Sequence, residues 1–262
     1  MKILRTISEL RGELSPDART GLVPTMGAFH EGHLSLFRAA RDECEVVVVS
    51  LFVNPTQFGP QEDLTRYPRD EERDAKLANA AGVDLLFVPD QRDLYPEGFA
   101  TWVDVEDTGS EGEARPGHFR GVATVCLKLF NIVHPQVAYF GQKDAQQAAM
   151  LRRMLRDLDV ELELRVLPTV RDADGLALSS RNAYLSHEER QRALALPRAL
   201  DAGRSAQLEG SDPVAAALAA LNGLVPDYVE VVDLGGVTVL AAAARIGSTR
   251  LIDNVVLEGD LR

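Results

Sequence analysis

The sequence predicts an α/β fold, with a parallel sheet in a first domain over residues 1–169 and a smaller α+β domain over residues 170–262. Three observations point there. Residues 45–52 (Glu-Val-Val-Val-Val-Ser-Leu-Phe) form an unbroken, β-branched apolar run, which suits a central parallel strand buried on both faces. Strand and helix patterns alternate as far as residue 167, which calls for right-handed crossovers in an open sheet. From Pro168 to Gly175 that rhythm stops.

Taken in order, residues 7–14 carry a helical apolar pattern and residues 21–23 a short strand. Leu34, Leu36, Phe37 and Ala40 mark a helix beyond the next loop. The strand at 45–52 ends in a breaker-rich loop at 54–59, and a helix over about 69–81 leads to a third strand at 84–88. Residues 101–105 alternate as a strand, and the acidic, Gly-containing run 106–113 reads as a solvated loop. A helix over 121–134, a buried strand at 137–140, a long helix over 144–158 and a strand at 162–167 complete the first domain. In the second, Ser186 and Glu189 have capping-box spacing and open a helix running on to about residue 200. Ala-rich helix then gives way to strands near 228–234 and 250–257.

Composition excludes several classes. With 45% hydrophobic and 26% charged residues, the 262-residue chain is ordinary globular material. A net charge of −12 argues against nucleic acid or an anionic membrane as partner, since both need a basic surface. No apolar segment is long enough to span a bilayer and no leader is evident, so no membrane partner is expected. Cys44 and Cys126 are isolated, which fits a reducing, cytoplasmic location.

The chemistry concentrates in Pro24-Thr25-Met26-Gly27-Ala28-Phe29-His30-Glu31-Gly32-His33, between a short strand and a helix. A helix N-terminus offers unpaired N–H groups and a positive dipole, and two imidazoles three positions apart add donors at the same place. That combination handles phosphate. The same spacing serves a metal site or a purely structural cap, but zinc wants three or four ligands. Gly141-Gln142-Lys143-Asp144 follows a buried strand onto the same carboxyl edge of the sheet. Lys143 is placed to neutralise a phosphate, and Asp144 to accept from a ribose or to cap the helix. Gln147, one turn along from Lys143, would by itself be a surface amide. Leu178-Ser179-Ser180-Arg181-Asn182 offers two hydroxyls and a guanidinium, either a clamp for terminal phosphates or an inter-domain linker. Gln57 puts an amide at the end of the central strand, suited to a small hydroxy acid.

Six segments in fixed order bring these residues together: Pro24-Thr25-Met26-Gly27-x-x-His30-x-Gly32-His33-Leu34, Asn54-Pro55-x-Gln57-Phe58, Tyr67-Pro68-Arg69, His118-Phe119-x-Gly121-Val122, Gly141-x-Lys143-Asp144-x-Gln146-Gln147, and Asp174-Gly175-Leu176-Ala177-x-Ser179-Ser180-Arg181-Asn182. Over nearly the whole chain the pattern resembles the pantothenate synthetase (pantoate–β-alanine ligase) family. The resemblance implies a Rossmann-like, nucleotidyltransferase-type first domain, a C-terminal domain closing over the ATP site, and a homodimer. It implies ATP at Met26, Gly27, Ala28, Phe29, His30, Glu31, Gly32, His33, Gly141, Gln142, Lys143, Asp144, Val170, Leu178, Ser179, Ser180 and Arg181. Pantoate would sit at Gln57 and Gln147, and β-alanine at Gln57. His33, His30 and Lys143 would be catalytic, and Mg²⁺ would be held mainly by the ATP phosphates with no protein metal site. Gln142, Ala145 and Thr56 depart from the family's usual Glu, Tyr and Met. The alternatives from the same histidine loop are a nucleotidylyltransferase acting on a phosphorylated acceptor, a nucleotide sensor without catalysis, and a tRNA-charging enzyme, the last disfavoured by the acidic balance.

Overall fold

A computed structural model describes residues 1–106 and 109–261. The elements run β1 (Lys2–Leu4), α1 (Ile7–Glu13), β2 (Thr20–Thr25), α2 (Glu31–Glu43), β3 (Val46–Leu51), α3 (Glu71–Ala80), β4 (Leu85–Phe87), α4 (Gln91–Leu94), α5 (Gly109–Ala114), α6 (His118–Val133), β5 (Val137–Gly141), α7 (Ala145–Asp157) and β6 (Glu163–Leu167). These are followed by α8 (His187–Ala193), α9 (Ala195–Leu208), α10 (Pro213–Ala220), β7 (Pro226–Asp233), β8 (Thr238–Ile246) and β9 (Thr249–Glu258). The fold is α/β, with a six-stranded parallel sheet in the order β1-β4-β3-β2-β5-β6 and a three-stranded antiparallel sheet β7-β8-β9.

The chain divides into two compact units, one of Met1–Phe140 and Met150–Val166, the other of Gly141–Ala149 and Leu167–Arg262. The stretch 141–149 groups with the C-terminal part. In the first unit β3 is the middle of the sheet, and Val47, Val48 and Val49 are fully buried, as a β-branched run covered on both faces should be. β2 and β5 lie side by side, with Gly21 opposite Val137. The loops that leave their carboxyl ends therefore start from one edge of the sheet, where open α/β sheets gather ligand-binding residues.

In the second unit Leu196, Ala199 and Leu200 of α9 and Ala217 of α10 share a core with Leu240, Ala242, Ala244 and Ile246 of β8. The sequence pattern misses β8: residues 241–244 are four alanines, the best helix formers, yet they form the middle strand and are buried. The helix expected to run through residue 200 breaks at Leu194, because the ring of Pro197 would strike the carbonyl of residue 193 in a continuous helix. Residues 101–105 belong to no strand among the described residues, and the Val103 N–H goes to the Thr124 hydroxyl at 3.0 Å instead of to a sheet neighbour. The expected solvated loop at 106–113 is corrected as well. Residues 107–108 lie outside the described residues, but Gly109–Ala114 is helix and Glu111 is buried, facing Arg115 at 3.5 Å.

Candidate active site

The histidine loop is shaped by its own hydrogen bonds. Gly27 takes φ +87° and Ala28 φ +53°, and the Ala28 and Phe29 N–H groups both donate to the Asp74 carboxylate at 2.7 Å. Asp74, on α3, is 1% exposed, and burial raises its pKa against the pull of those two donors. A β-carbon at Gly27 would come within 3.0 Å of Asp74 Oδ2, so the turn needs glycine for space as well as for its φ.

This turn delivers His30 to the N-cap of α2 and His33 to its third position. The two rings close the helix start on each other. His30 Nδ1 accepts from the Gly32 N–H at 3.2 Å, His33 Nδ1 accepts from the His30 N–H at 3.3 Å, and the ring centroids are 4.2 Å apart. With each Nδ1 engaged as an acceptor, the proton of the neutral ring sits on Nε2. Both imidazoles therefore carry a donor on the atom remote from the cap.

Gln57 stands at the end of β3's loop, 9% exposed and gripped from both sides. Its Oε1 accepts from Asn54 Nδ2 at 3.2 Å, while its Nε2 points to Met26 Sδ at 3.0 Å, which ties it to the histidine loop. Thr56 Oγ1, in the position of the departure noted above, donates to Asn54 Oδ1 at 2.9 Å, and the Gly121 carbonyl, accepting from Asn54 Nδ2 at 3.1 Å, fixes which way the Asn54 amide faces. The order of donors then fixes the Gln57 amide too, with Oε1 toward Asn54 and its NH₂ toward Met26 Sδ. The Gln57 carbonyl accepts from His118 Nδ1 at 2.9 Å. Arg115, always protonated, donates to His118 Nε2 at 2.9 Å and thereby places the neutral ring's proton on Nδ1.

Burial first, and Arg115 second, push the His118 pKa down to about 4. Burial works to raise the Glu62 pKa, but its paired hydrogen bonds to Arg115 at 2.7 and 2.8 Å prevail and hold it at about 2. Both shifts have the same sign in stability. As pH falls, the unfolded chain takes up protons first, His118 below 6.5 and Glu62 below 4.5, so folded-state stability is lost from about 6.5 down to 4 and then on toward 2. Urea midpoints measured across pH 7 to 4 are expected to fall accordingly. His118→Asn should remove a contribution on the order of 3 kcal/mol from that fall; an unchanged pH slope in the variant would contradict the buried, neutral histidine.

In the second unit, Gly141 ends β5 and Gln142–Asp144 form a 3-10 turn leading into α7. Lys143 Nζ lies 3.4 Å from Asp144 Oδ2, and Gln147 is half-buried one turn further along. Val170 and Leu178 face each other across a hairpin, the Leu178 N–H donating to the Val170 carbonyl at 3.0 Å. Ser179 caps the 3-10 turn Ser180–Tyr184 by accepting from the Arg181 N–H at 3.3 Å. Two buried oxygens, Thr169 Oγ1 and Asn182 Oδ1, have no hydrogen-bond partner among the described residues, and they flank this stretch. Among the described residues no three His, Cys, Asp or Glu side chains gather closely enough to hold a metal ion, and no helix is long and apolar enough to cross a membrane.

The structure thus brings Met26, Gly27, Ala28, Phe29, His30, Glu31, Gly32 and His33 together with Gln57 in the first unit. It groups Gly141, Gln142, Lys143, Asp144, Gln147, Val170, Leu178, Ser179, Ser180 and Arg181 in the second. Sequence reasoning left Asp74, Asn54, Arg115 and His118 without roles. His118 and Asn54 stood inside recognisable motifs, whereas Asp74 is one of several acids in the first turn of α3 and carried no signal.

A family model described as pantoate-beta-alanine ligase matches residues 2–256. A pantothenate synthetase of Moorella thermoacetica is 51% identical over 280 aligned residues, covering 98% of this chain and 99% of its own. A solved pantothenate synthetase of Thermus thermophilus superposes with a TM-score of 0.95 at 47% identity, over 99% of this chain and 100% of that one. A pantoate-beta-alanine ligase of Francisella tularensis, solved with beta-gamma ATP and beta-alanine, gives 0.85 at 35% identity over the full length of both. With a loop of paired imidazoles and a gripped glutamine in the places the motifs required, and relatives matched end to end, this chain belongs to the pantoate-beta-alanine ligase family.

Proposed function

We propose that this protein condenses pantoate with β-alanine at the expense of ATP, giving pantothenate, AMP and pyrophosphate. The observation that carries the reading is the pair of imidazoles at the start of α2, each accepting a main-chain N–H at Nδ1, on a loop tied through Met26 Sδ to the amide of Gln57. A carboxylate is a poor acyl donor toward an amine at neutral pH, since its carbon is electron-rich and oxide is a poor leaving group. The pantoate carboxylate therefore attacks the α-phosphorus of ATP and the bond to the β-phosphate oxygen breaks, giving pantoyl adenylate and pyrophosphate. His30 and His33 donate to the oxygens on which charge accumulates, and His33 gives its proton to an oxygen of the departing pyrophosphate. Lys143 balances the same charge, while Ser179, Ser180 and Arg181 hold the departing phosphates.

Lysine, arginine and hydroxyls form a donor set for phosphate oxygens and not for a cation. Mg²⁺ would accordingly be held by the nucleotide, where it neutralises phosphate charge. Gln57 and Gln147 orient the hydroxy acid, and Gln57 also borders the β-alanine position. In the second half-reaction the β-alanine amine attacks the acyl carbon and AMP departs. Excluding water from the adenylate keeps it for the amine. The two orphan oxygens at Thr169 and Asn182 support a ligand beside the 178–181 segment. The protein is proposed to work in the cytoplasm as a homodimer, and its acidic surface gives nucleic acid no foothold.

Pyrophosphate release from ATP should require pantoate among small hydroxy acids, and should turn over repeatedly only when β-alanine is added. Release that ignores the hydroxy acid would defeat the reading. In the same assay Gln57→Ala should raise the KM for pantoate roughly tenfold or more while leaving that for ATP within about twofold; equal changes in both would make Gln57 a structural residue.

A further inference from the structure

Strand β9 carries two adjacent polar side chains in a place where packing alone would favour apolar ones. Asp253 is 2% and Asn254 is 3% exposed. A buried carboxylate next to a buried amide costs more than apolar residues of similar size, so what they hold accounts for them. Asn254 Nδ2 donates to the main-chain carbonyls of both Gln142 and Lys143 at 2.9 Å, and its Oδ1 accepts from Gln142 Nε2 at 3.2 Å. Every polar atom of that amide is spent on the turn bearing Lys143.

Asp253 receives both arms of the Arg171 guanidinium, at 2.6 and 2.9 Å. Arg171 also donates to the Gly175 carbonyl at 3.2 Å and pairs with Ala177 in an isolated bridge, and two residues further on come Ser179, Ser180 and Arg181. A bidentate pair fixes angle as well as distance. One dipeptide on a rigid strand is thus tied by its amide to the Lys143 turn and by its carboxylate to the base of the Ser179–Arg181 segment.

We infer that Asp253 and Asn254 are positioning residues for ATP activation: they set the spacing between the Lys143 turn and the Ser-Ser-Arg segment, and touch no substrate themselves. The inference rests on the reading of those two segments as phosphate ligands given above. A misplacement of about 1 Å in such a group is enough to cost a large factor in rate.

The test is a pair of double-variant cycles on the full chain, read as pantoate-dependent ATP–pyrophosphate exchange. Asn254→Ala is expected to lower the exchange kcat about tenfold with the KM for pantoate within about twofold. In a Lys143→Ala background the same change should cost less than about twofold more, because the group it aims is already gone. Asp253→Asn combined with Arg181→Ala should be sub-additive in the same way. Losses that multiply in either double variant overturn the inference, as does wild-type exchange by Asn254→Ala. Wild-type exchange by Lys143→Ala alone would instead strike the parent reading, and the inference with it. Should thermal melting show Asn254→Ala unfolded, Asn254→Ser, which keeps one donor, and Gln142→Ala, which removes the side-chain partner, run through the same cycle with the same criteria.

Discussion

The His33→Ala variant is expected to form pantoyl adenylate between about tenfold and a thousandfold more slowly than the parent, the range typical of losing one preorganised donor to a developing anion. Alanine at this position also removes the acceptor for the His30 N–H, so part of the loss would come from a loosened helix start. His33→Asn separates the two. Its amide oxygen can take over the cap, while nothing replaces the donor at Nε2. Both variants should therefore be slow, and only His33→Ala should melt earlier. Lys143→Ala should be slow to a similar degree, with Lys143→Arg recovering part of the rate, since a forked cation does not reproduce a point charge. Single-turnover pyrophosphate release gives the decisive number. A His33→Asn chain that forms adenylate at the parental rate would leave the ring with a purely architectural part.

Gly121→Ala is expected to destabilise the first unit by about 3 kcal/mol and to impair pantoate binding in whatever still folds. Helix α6 passes so close to the Gln57 segment that a β-carbon on Gly121 would lie 2.5 Å from the Thr56 carbonyl oxygen, 2.6 Å from its carbon and 2.7 Å from the Gln57 nitrogen. These are main-chain atoms, so no rotamer change relieves the clash, and the helix and the segment must part. Parting them also stretches the Asn54 bond to the Gly121 carbonyl, now 3.1 Å, and the His118 bond to the Gln57 carbonyl. The same substitution at Gly12 in α1, where nothing lies within 4 Å, should instead stabilise by roughly 0.5–1 kcal/mol. Denaturant unfolding of the two variants side by side tests the argument: similar shifts in both would remove the close approach as the cause.

The sheet was legible because its strongest signals are local. Four consecutive valines can hardly be anything but a buried strand, and a Gly-flanked loop after a strand belongs at a carboxyl edge. The family was legible from the order of six motifs along the chain, and the candidate site residues were picked from those motifs by the needs of a triphosphate. What stayed hidden depends on neighbours far away in sequence. The alanines of β8 are strand because β7 and β9 pair on either side and Ala242 and Ala244 share a buried core with α9, a tertiary demand that overrides propensity. Residues 101–105 alternate correctly but find no sheet neighbour among the described residues. Asp74, His118 and Asn254 act on main-chain atoms 45, 61 and 111–112 residues away, and no periodicity encodes such a reach.

Helix α2 is closed by the very rings proposed to do the chemistry, and asparagine or aspartate would close it at least as well as histidine at residue 30. Either arises from a histidine codon by a single base change. Natural drift at this position can therefore yield a chain that folds, persists in the cell and makes nothing, and a screen scored on melting temperature would rank it level with its parent. On the proposed role, only selection on vitamin supply, and not on folding, would keep an imidazole there.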